Sequence, residues 1–303
     1  MPYALAIHGG AGLIRRDALT PEREAACTVV LHAALDAGEA ILAAGGPSLE
    51  AVQAAVLVLE DSPLFNAGRG AVLTGAETVE HDAAVMCGRR RAAGAITGST
   101  RIRNPILAAR HVLEHTRHVL LCGPGADTLA SEAGLAMVEP SWFVTPERVE
   151  QVRRAVREDR FGLDHDSGAD DAYGTVGAVA CDSAGHLAAA TSTGGMVNQR
   201  PGRVGDTPII GAGTWAWDAT CAVSGTGHGE LFVHRHVGAR ISDWMDIGGL
   251  DLTTACDRVI AELPAEAGGV IAVDRHGNIA MPFSSAGMFR GAVSASGRTV
   301  AIW

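Results

Sequence analysis

Thr175 opens an apolar run, Gly174-Thr175-Val176-Gly177-Ala178-Val179, at a place where a core strand would take Val or Ile. The preceding segment, Asp164-His165-Asp166-Ser167-Gly168-Ala169-Asp170-Asp171-Ala172-Tyr173-Gly174, is acidic and lacks apolar periodicity, so it reads as a flexible loop running into a buried strand. Cleavage between Gly174 and Thr175 would make Thr175 a chain terminus with a hydroxyl and an α-amine. That pair is a complete nucleophile and base, because an α-amino group titrates near pKa of about 7.7 to 8.0 and takes a hydroxyl proton at neutral pH. On its own, Gly-Thr is equally what a threonine at a strand edge looks like. Arg203 and Asp206, three residues apart, carry opposite charges. Without other information such a pair reads as a surface ion pair worth about 0 to 1 kcal/mol.

Other chemistries are removed by composition. All 24 basic residues are arginine, so there is no lysine for a Schiff base, a pyridoxal phosphate anchor, a Walker A loop or a Ser-Lys dyad. His111 and His115 lie one helical turn apart with His118 nearby, but without a carboxylate or thiol partner they predict no catalytic metal. A formal net charge of -10 disfavours nucleic acid and anionic membrane, and Arg89-Arg90-Arg91 reads as a solvated turn. Cysteines 27, 87, 122, 181, 221 and 256 form no C-x-x-C pair and read as reduced thiols of a cytoplasmic protein. The N-terminal stretch has no basic segment and too short an apolar run for a signal peptide or membrane span.

The elements that must hold these residues are legible in outline. Strands are predicted at 3–8, 176–181, 186–192, 222–224, 270–273, 279–283 and 299–303, and helices at 21–44, 48–59, 105–115, 146–158, 230–247 and 253–263. Asp182-Ser183-Ala184-Gly185 and Asp274-Arg275-His276-Gly277 have the form of hairpin turns with Gly at a positive φ. Strands thus gather at the start and in the second half, with helices between. Hairpins in place of alternating β-α units predict a layered α+β fold, and no linker divides the 303 residues into separate domains.

Six blocks in order along the chain carry a resemblance: His8-Gly9-Gly10-Ala11-Gly12, the segment 65–70, the Gly174-Thr175 run, Thr191-Ser192-Thr193-Gly194-Gly195-Met196, the segment 201–213, and Ala222-Val223-Ser224-Gly225-Thr226-Gly227-His228-Gly229-Glu230. Together they resemble the plant-type L-asparaginase and isoaspartyl peptidase family of N-terminal nucleophile hydrolases. The resemblance implies a four-layer αββα sandwich and self-cleavage into residues 1–174 and 175–303. It implies hydrolysis of L-asparagine or β-aspartyl dipeptides by Thr175, and a homodimer of processed units.

Residue by residue, the resemblance implies that Thr193 supports the nucleophile and that Thr226 and Gly227 form the oxyanion hole. It assigns the substrate's α-carboxylate to Arg203, its α-ammonium to Asp206, and lining roles to Gly227, Gly229 and Asn66. Segment 59–69 resembles a loop holding a structural sodium ion through the carbonyls of Leu59, Glu60, Ser62, Phe65, Ala67 and Arg69; no catalytic cofactor is implied. The chain departs from the family at Gly225, where cysteine is common, at His81, Cys87 and at His228, which is expected to narrow the pocket or alter leaving-group preference. Glycosylasparaginase is a related alternative, disfavoured by Gly174 before the threonine. An unprocessed aspartate-binding protein with the same clamp is the other.

Overall fold

The computed structural model describes residues 3–17, 19–159 and 174–303, so the acidic segment 164–173 lies outside the described residues. Twelve strands are seen among them: β1 (Ala4–Gly12), β2 (His81–Cys87), β3 (Ala92–Ser99), β4 (Leu120–Cys122), β5 (Val176–Cys181), β6 (Leu187–Thr193), β7 (Thr214–Ala216), β8 (Cys221–Gly227), β9 (Gly268–Asp274), β10 (Ile279–Ala280), β11 (Gly287–Ser294) and β12 (Gly297–Ala301). The α-helices are α1 (Pro21–Ala43), α2 (Ser48–Asp61), α3 (Pro105–His115), α4 (Gly123–Glu132), α5 (Pro146–Arg157), α6 (Gly229–Arg235), α7 (Val237–Asp246) and α8 (Leu252–Ala261).

The strands form two sheets, one of eight in the order β12-β11-β1-β5-β6-β2-β3-β4 and one of four in the order β10-β9-β8-β7. Period-2 alternation sorts their side chains into three cores. Leu5, Ile7, Val176, Ala178, Ala188 and Ala190 pack against the helices on one side of the large sheet, while Ala4, Ala6, Val179, Cys181, Leu187 and Ala189 meet Ile271 and Val273 of the small sheet. Val223, Val270 and Ala272 turn from the small sheet onto α7 and α8. The result is a four-layer αββα sandwich, as the resemblance implies.

Both expected hairpins form, and for the expected reason. Asp182 Oδ1 accepts from the amides of Ala184 and His186, and Asp274 Oδ1 from those of His276 and Asn278, while Gly185 and Gly277 take φ of 80° and 81°. Each carboxylate nucleates its turn and each glycine closes it at no steric cost.

Three expectations are corrected. Strands are not confined to the start and the second half, because β2 and β3 pair with each other, and β2 with β6, in the interval read as helical. β3 is rich in Ala and Gly, and β2 is buried almost throughout, so no alternation marks it. The predicted helix 230–247 breaks at His236, whose φ is 50°, because the amides of Gly238 and Ala239 donate to the carbonyls of Ala212 and Gly211 in place of continuing a helix. The predicted strand 279–283 is a two-residue strand ahead of Pro282.

Arg89 to Arg91 form the turn between β2 and β3, with the Arg91 guanidinium over the Trp217 ring at 4.2 Å. Helix α1 is, among the described residues, the one helix long and apolar enough to cross a membrane. Its Cys27, Leu31, Ala34, Leu35 and Leu42 are buried, and it packs along α2 and β1. The six cysteines are free thiols, and no group of histidine, cysteine and carboxylate side chains suited to a metal occurs among the described residues.

Candidate active site

Thr175 stands directly ahead of β5, at the centre of the large sheet between β1 and β6. By the parity of Val176, Ala178 and Ala180, which face the helices, the Thr175 side chain faces the gap between the sheets. Its hydroxyl donates to Thr193 Oγ1 at 3.0 Å, and that oxygen also accepts the Gly195 amide at 3.0 Å. Two donors on one oxygen fix the direction of the Thr175 hydroxyl.

The Thr175 carbonyl is held by the first residue of the first motif block, to which the sequence reading assigns no role of its own. His8 is fully buried, with Nδ1 2.9 Å from the Thr175 oxygen and Nε2 2.9 Å from Ser224 Oγ. A carbonyl only accepts, so Nδ1 carries the hydrogen and Nε2 accepts from Ser224. Burial lowers the His8 pKa to about 3, which keeps the ring neutral and this donor–acceptor order intact at neutral pH. Thr191 Oγ1 lies 2.8 Å from Ser224 Oγ and continues the network. Gly177 makes the approach fit, since a Cβ there would lie 2.1 Å from Ser224 Oγ and 2.5 Å from His8 Nε2.

Thr175, Thr193, Thr226, Gly227, Asn66, Arg203 and Asp206 line one narrow cleft, completed by Ala11, Gly174, Gly195, Met196 and Gly205. Residues spread over most of the chain meet because β1, β5, β6 and β8 all end or begin at this edge of the sandwich. Asn66 braces the turn after β6, donating from Nδ2 to the Gly195 carbonyl at 2.8 Å and accepting from the Val72 amide at 2.9 Å. Thr226 Oγ1 accepts the Ala11 amide at 3.2 Å, which leaves its hydrogen to donate into the cleft. His228 is not among the residues lining the cleft, and Gly225, in place of the family's cysteine, leaves room for the Phe232 ring, 2.8 Å from where a Cβ would stand.

Arg203 and Asp206 do not pair with each other. The Arg203 guanidinium is closed along one edge by Glu230, Nε to Oε1 and Nη2 to Oε2 at 2.9 Å each. Asp206 is buried, and its Oδ2 has no hydrogen-bond partner among the described residues. Burial raises its pKa to about 7, against the opposing pull of Arg203. An orphaned buried carboxylate beside a cleft is suited to receive a cation. Gly229 lies behind the cleft between the two groups, where a Cβ would stand 2.8 Å from Arg203 Nη2 and 2.9 Å from Asp206 Oδ1, so any larger residue would disturb both.

The segment 59–69 leaves the C-terminal end of α2 and curls tightly: a Cβ on Gly68 would lie 2.4 Å from the Glu60 carbonyl oxygen, and one on Gly70 2.1 Å from that of Phe65. Leu59 and Glu60 present the negative end of the helix dipole there. Main-chain oxygens are the donor chemistry that a hard cation such as sodium takes. The Glu60 side chain points elsewhere, accepting from Ser192 Oγ at 2.6 Å and the Ile106 amide at 3.0 Å.

The chain matches the family model described as asparaginase over residues 1–302. It is 49% identical over 292 residues to an isoaspartyl peptidase of Salmonella typhimurium, covering 94% of this chain and 93% of that protein. It is 48% identical over 292 residues to an isoaspartyl peptidase of Escherichia coli, covering 94% and 91%, and 38% identical over 292 residues to a plant-type L-asparaginase of Pyrobaculum calidifontis, covering 95% of each.

Proposed function

The chain belongs to the asparaginase family, and from that premise we propose that it is a self-processing N-terminal nucleophile hydrolase that releases L-aspartate from L-asparagine and from β-aspartyl dipeptides. The observation that carries this reading is the Thr175 hydroxyl, 3.0 Å from that of Thr193, in one cleft with Thr226, Arg203 and Asp206.

In the precursor the Thr175 nitrogen is an amide and cannot act as base. Its Oγ attacks the Gly174 carbonyl carbon, the C–N bond breaks with the hydroxyl proton passing to nitrogen, and water hydrolyses the resulting ester. This frees an α-amine whose ordinary pKa of about 7.7 to 8.0 suits a general base. In turnover that amine takes the Oγ proton as Oγ attacks the substrate's side-chain carbonyl. Charge developing on the carbonyl oxygen is met by the Thr226 hydroxyl and the Gly227 N–H. The proton then leaves with ammonia or the departing amino acid, and water releases aspartate from the ester. Arg203 holds the α-carboxylate and Asp206 the α-ammonium.

A sodium ion on the carbonyls of Leu59, Glu60, Ser62, Phe65, Ala67 and Arg69 belongs to the same proposal and would stiffen the loop carrying Asn66. A cytoplasmic location, supported by the six free thiols, and a dimer of processed units, supported by the family resemblance, complete it.

Intact mass under denaturing conditions tests the mechanism. Fragments 1–174 and 175–303, with release of aspartate from either substrate, are expected. A persistent single chain that binds aspartate without turnover would establish the unprocessed binder instead.

The clamp also predicts a pH dependence. Asp206 is ionised above its pKa of about 7 and neutral below it, so the inhibition constant of L-aspartate should be flat above that pH and rise about tenfold for each unit below it. Asp206→Asn should bind weakly and without this limb. A wild-type profile flat down to pH 5 would remove Asp206 from the ammonium site.

A further inference from the structure

Glu230, like the buried Asp82, is a charged group at the clamp that the reaction just described does not use. It stands in the first turn of α6 and meets the Arg203 guanidinium with both oxygens, although its own side chain is 47% exposed while that of Arg203 is 13% exposed. A surface carboxylate that reaches inward to a shielded arginine is more than a solvated helix residue.

A guanidinium has two edges that grip a carboxylate with paired N–H groups, the side edge of Nε and one Nη, and the end edge of both Nη atoms. Glu230 takes the side edge. The end edge lies over Gly205, where a Cβ would stand 2.9 Å from Nη1 and 3.4 Å from Nη2, and Gly205 lines the cleft. Among the described residues the fork's one other hydrogen bond is long, Nη1 to Gln199 Oε1 at 3.5 Å. The pairing therefore leaves the end edge on the side of the cleft. It also cancels the arginine charge, so that a carboxylate alone gains less from the clamp than a zwitterion whose ammonium reaches Asp206.

Resting on the reading above, we propose that Glu230 is a positioning and specificity residue, which locks Arg203 with its end edge facing the cleft and makes the site select an α-amino acid end over a simple carboxylate. Asp206 is faced by Arg203, Glu230 and Asp82, and of these Glu230 and Asp82 hold its pKa up while Arg203 lowers it. Removing the Glu230 charge must therefore move the acid limb of aspartate binding to lower pH, an effect that loss of packing alone would not produce.

Glu230→Gln and Glu230→Ala test this in the purified, processed enzyme. Glu230→Ala should raise KM for a β-aspartyl dipeptide about tenfold, as expected for an unanchored arginine, while kcat changes much less. Glu230→Gln, which keeps an acceptor for Nε, should raise KM by a smaller factor. In both, the acid limb of the L-aspartate inhibition profile should shift down, and succinamate, the substrate analogue lacking the ammonium, should gain relative to L-asparagine in kcat/KM. Intact mass showing fragments 1–174 and 175–303 verifies that each variant has folded and matured. An unchanged KM and pH profile overturn the proposal, as does a lowered KM, which would make Glu230 a competitor for the arginine. A wild type that neither cleaves nor turns over overturns the reading on which the proposal rests; an active wild type with indifferent Glu230 variants overturns the proposal alone.

Discussion

Thr175→Ala should remain a single chain indefinitely and show no hydrolysis of L-asparagine or β-aspartyl dipeptides, a loss on the order of 10⁶ in kcat, the scale of removing the covalent nucleophile from a hydrolase. One oxygen serves both reactions: without Oγ there is no atom to attack the Gly174 carbonyl, and without cleavage there is no α-amine to act as base. The fold should survive, because the substitution removes one hydroxyl, whose bond to Thr193 is worth about 1 kcal/mol, and one methyl group worth about 0.8 kcal/mol. Mass and circular dichroism on the same sample separate these effects. Thr175→Ser keeps the oxygen and should still cleave, so the pair tests the hydroxyl and not the side-chain volume. A Thr175→Ala protein found cut after Gly174, or turning over, would end the mechanism.

How far the sequence reaches depends on whether a signal is local. The hairpins at 182–185 and 274–277 were legible because Asp and Gly within four residues fix the turn by themselves. Thr175 was legible because a hydroxyl residue opening an apolar run conflicts with packing, and such conflicts gather at functional sites. Strands β2 and β3 were not, since a strand buried almost throughout carries no alternation and one rich in Ala and Gly holds few of the β-branched residues that mark a strand. The break at His236 is made by carbonyls of residues 211 and 212, outside the helix that it interrupts. His8 and Ser224 are partners 216 residues apart, and the role of His8 appears only when β1 and β8 face each other across the two sheets. Glu230 is an acidic residue in a first helical turn, where the dipole alone would favour it, so its sequence position does not reveal the contact with Arg203. The clamp residues could thus be named as types from the sequence, but which edge of the arginine is open required the partner that folding brings to it.

Thr226→Val should lower kcat by about 10² to 10³, or 2.7 to 4 kcal/mol, the cost of one oxyanion-hole donor, while KM moves little. The reasoning turns on where the hydroxyl hydrogen goes. Thr226 Oγ1 is an acceptor for the Ala11 amide, and no protein acceptor for its hydrogen is seen among the described residues, so the hydrogen is directed to the cleft beside Gly227. Such a donor acts most strongly on the tetrahedral oxyanion and weakly on the ground-state carbonyl, which is why the loss falls on kcat. Valine keeps the volume but strands the Ala11 amide, at a cost of about 1 to 3 kcal/mol in stability, so rates should be taken per mole of processed protein well below the melting temperature. Thr226→Ser restores the donor and should recover most of the rate. Full kcat in Thr226→Val, with maturation verified by mass, would place the oxyanion elsewhere in the cleft.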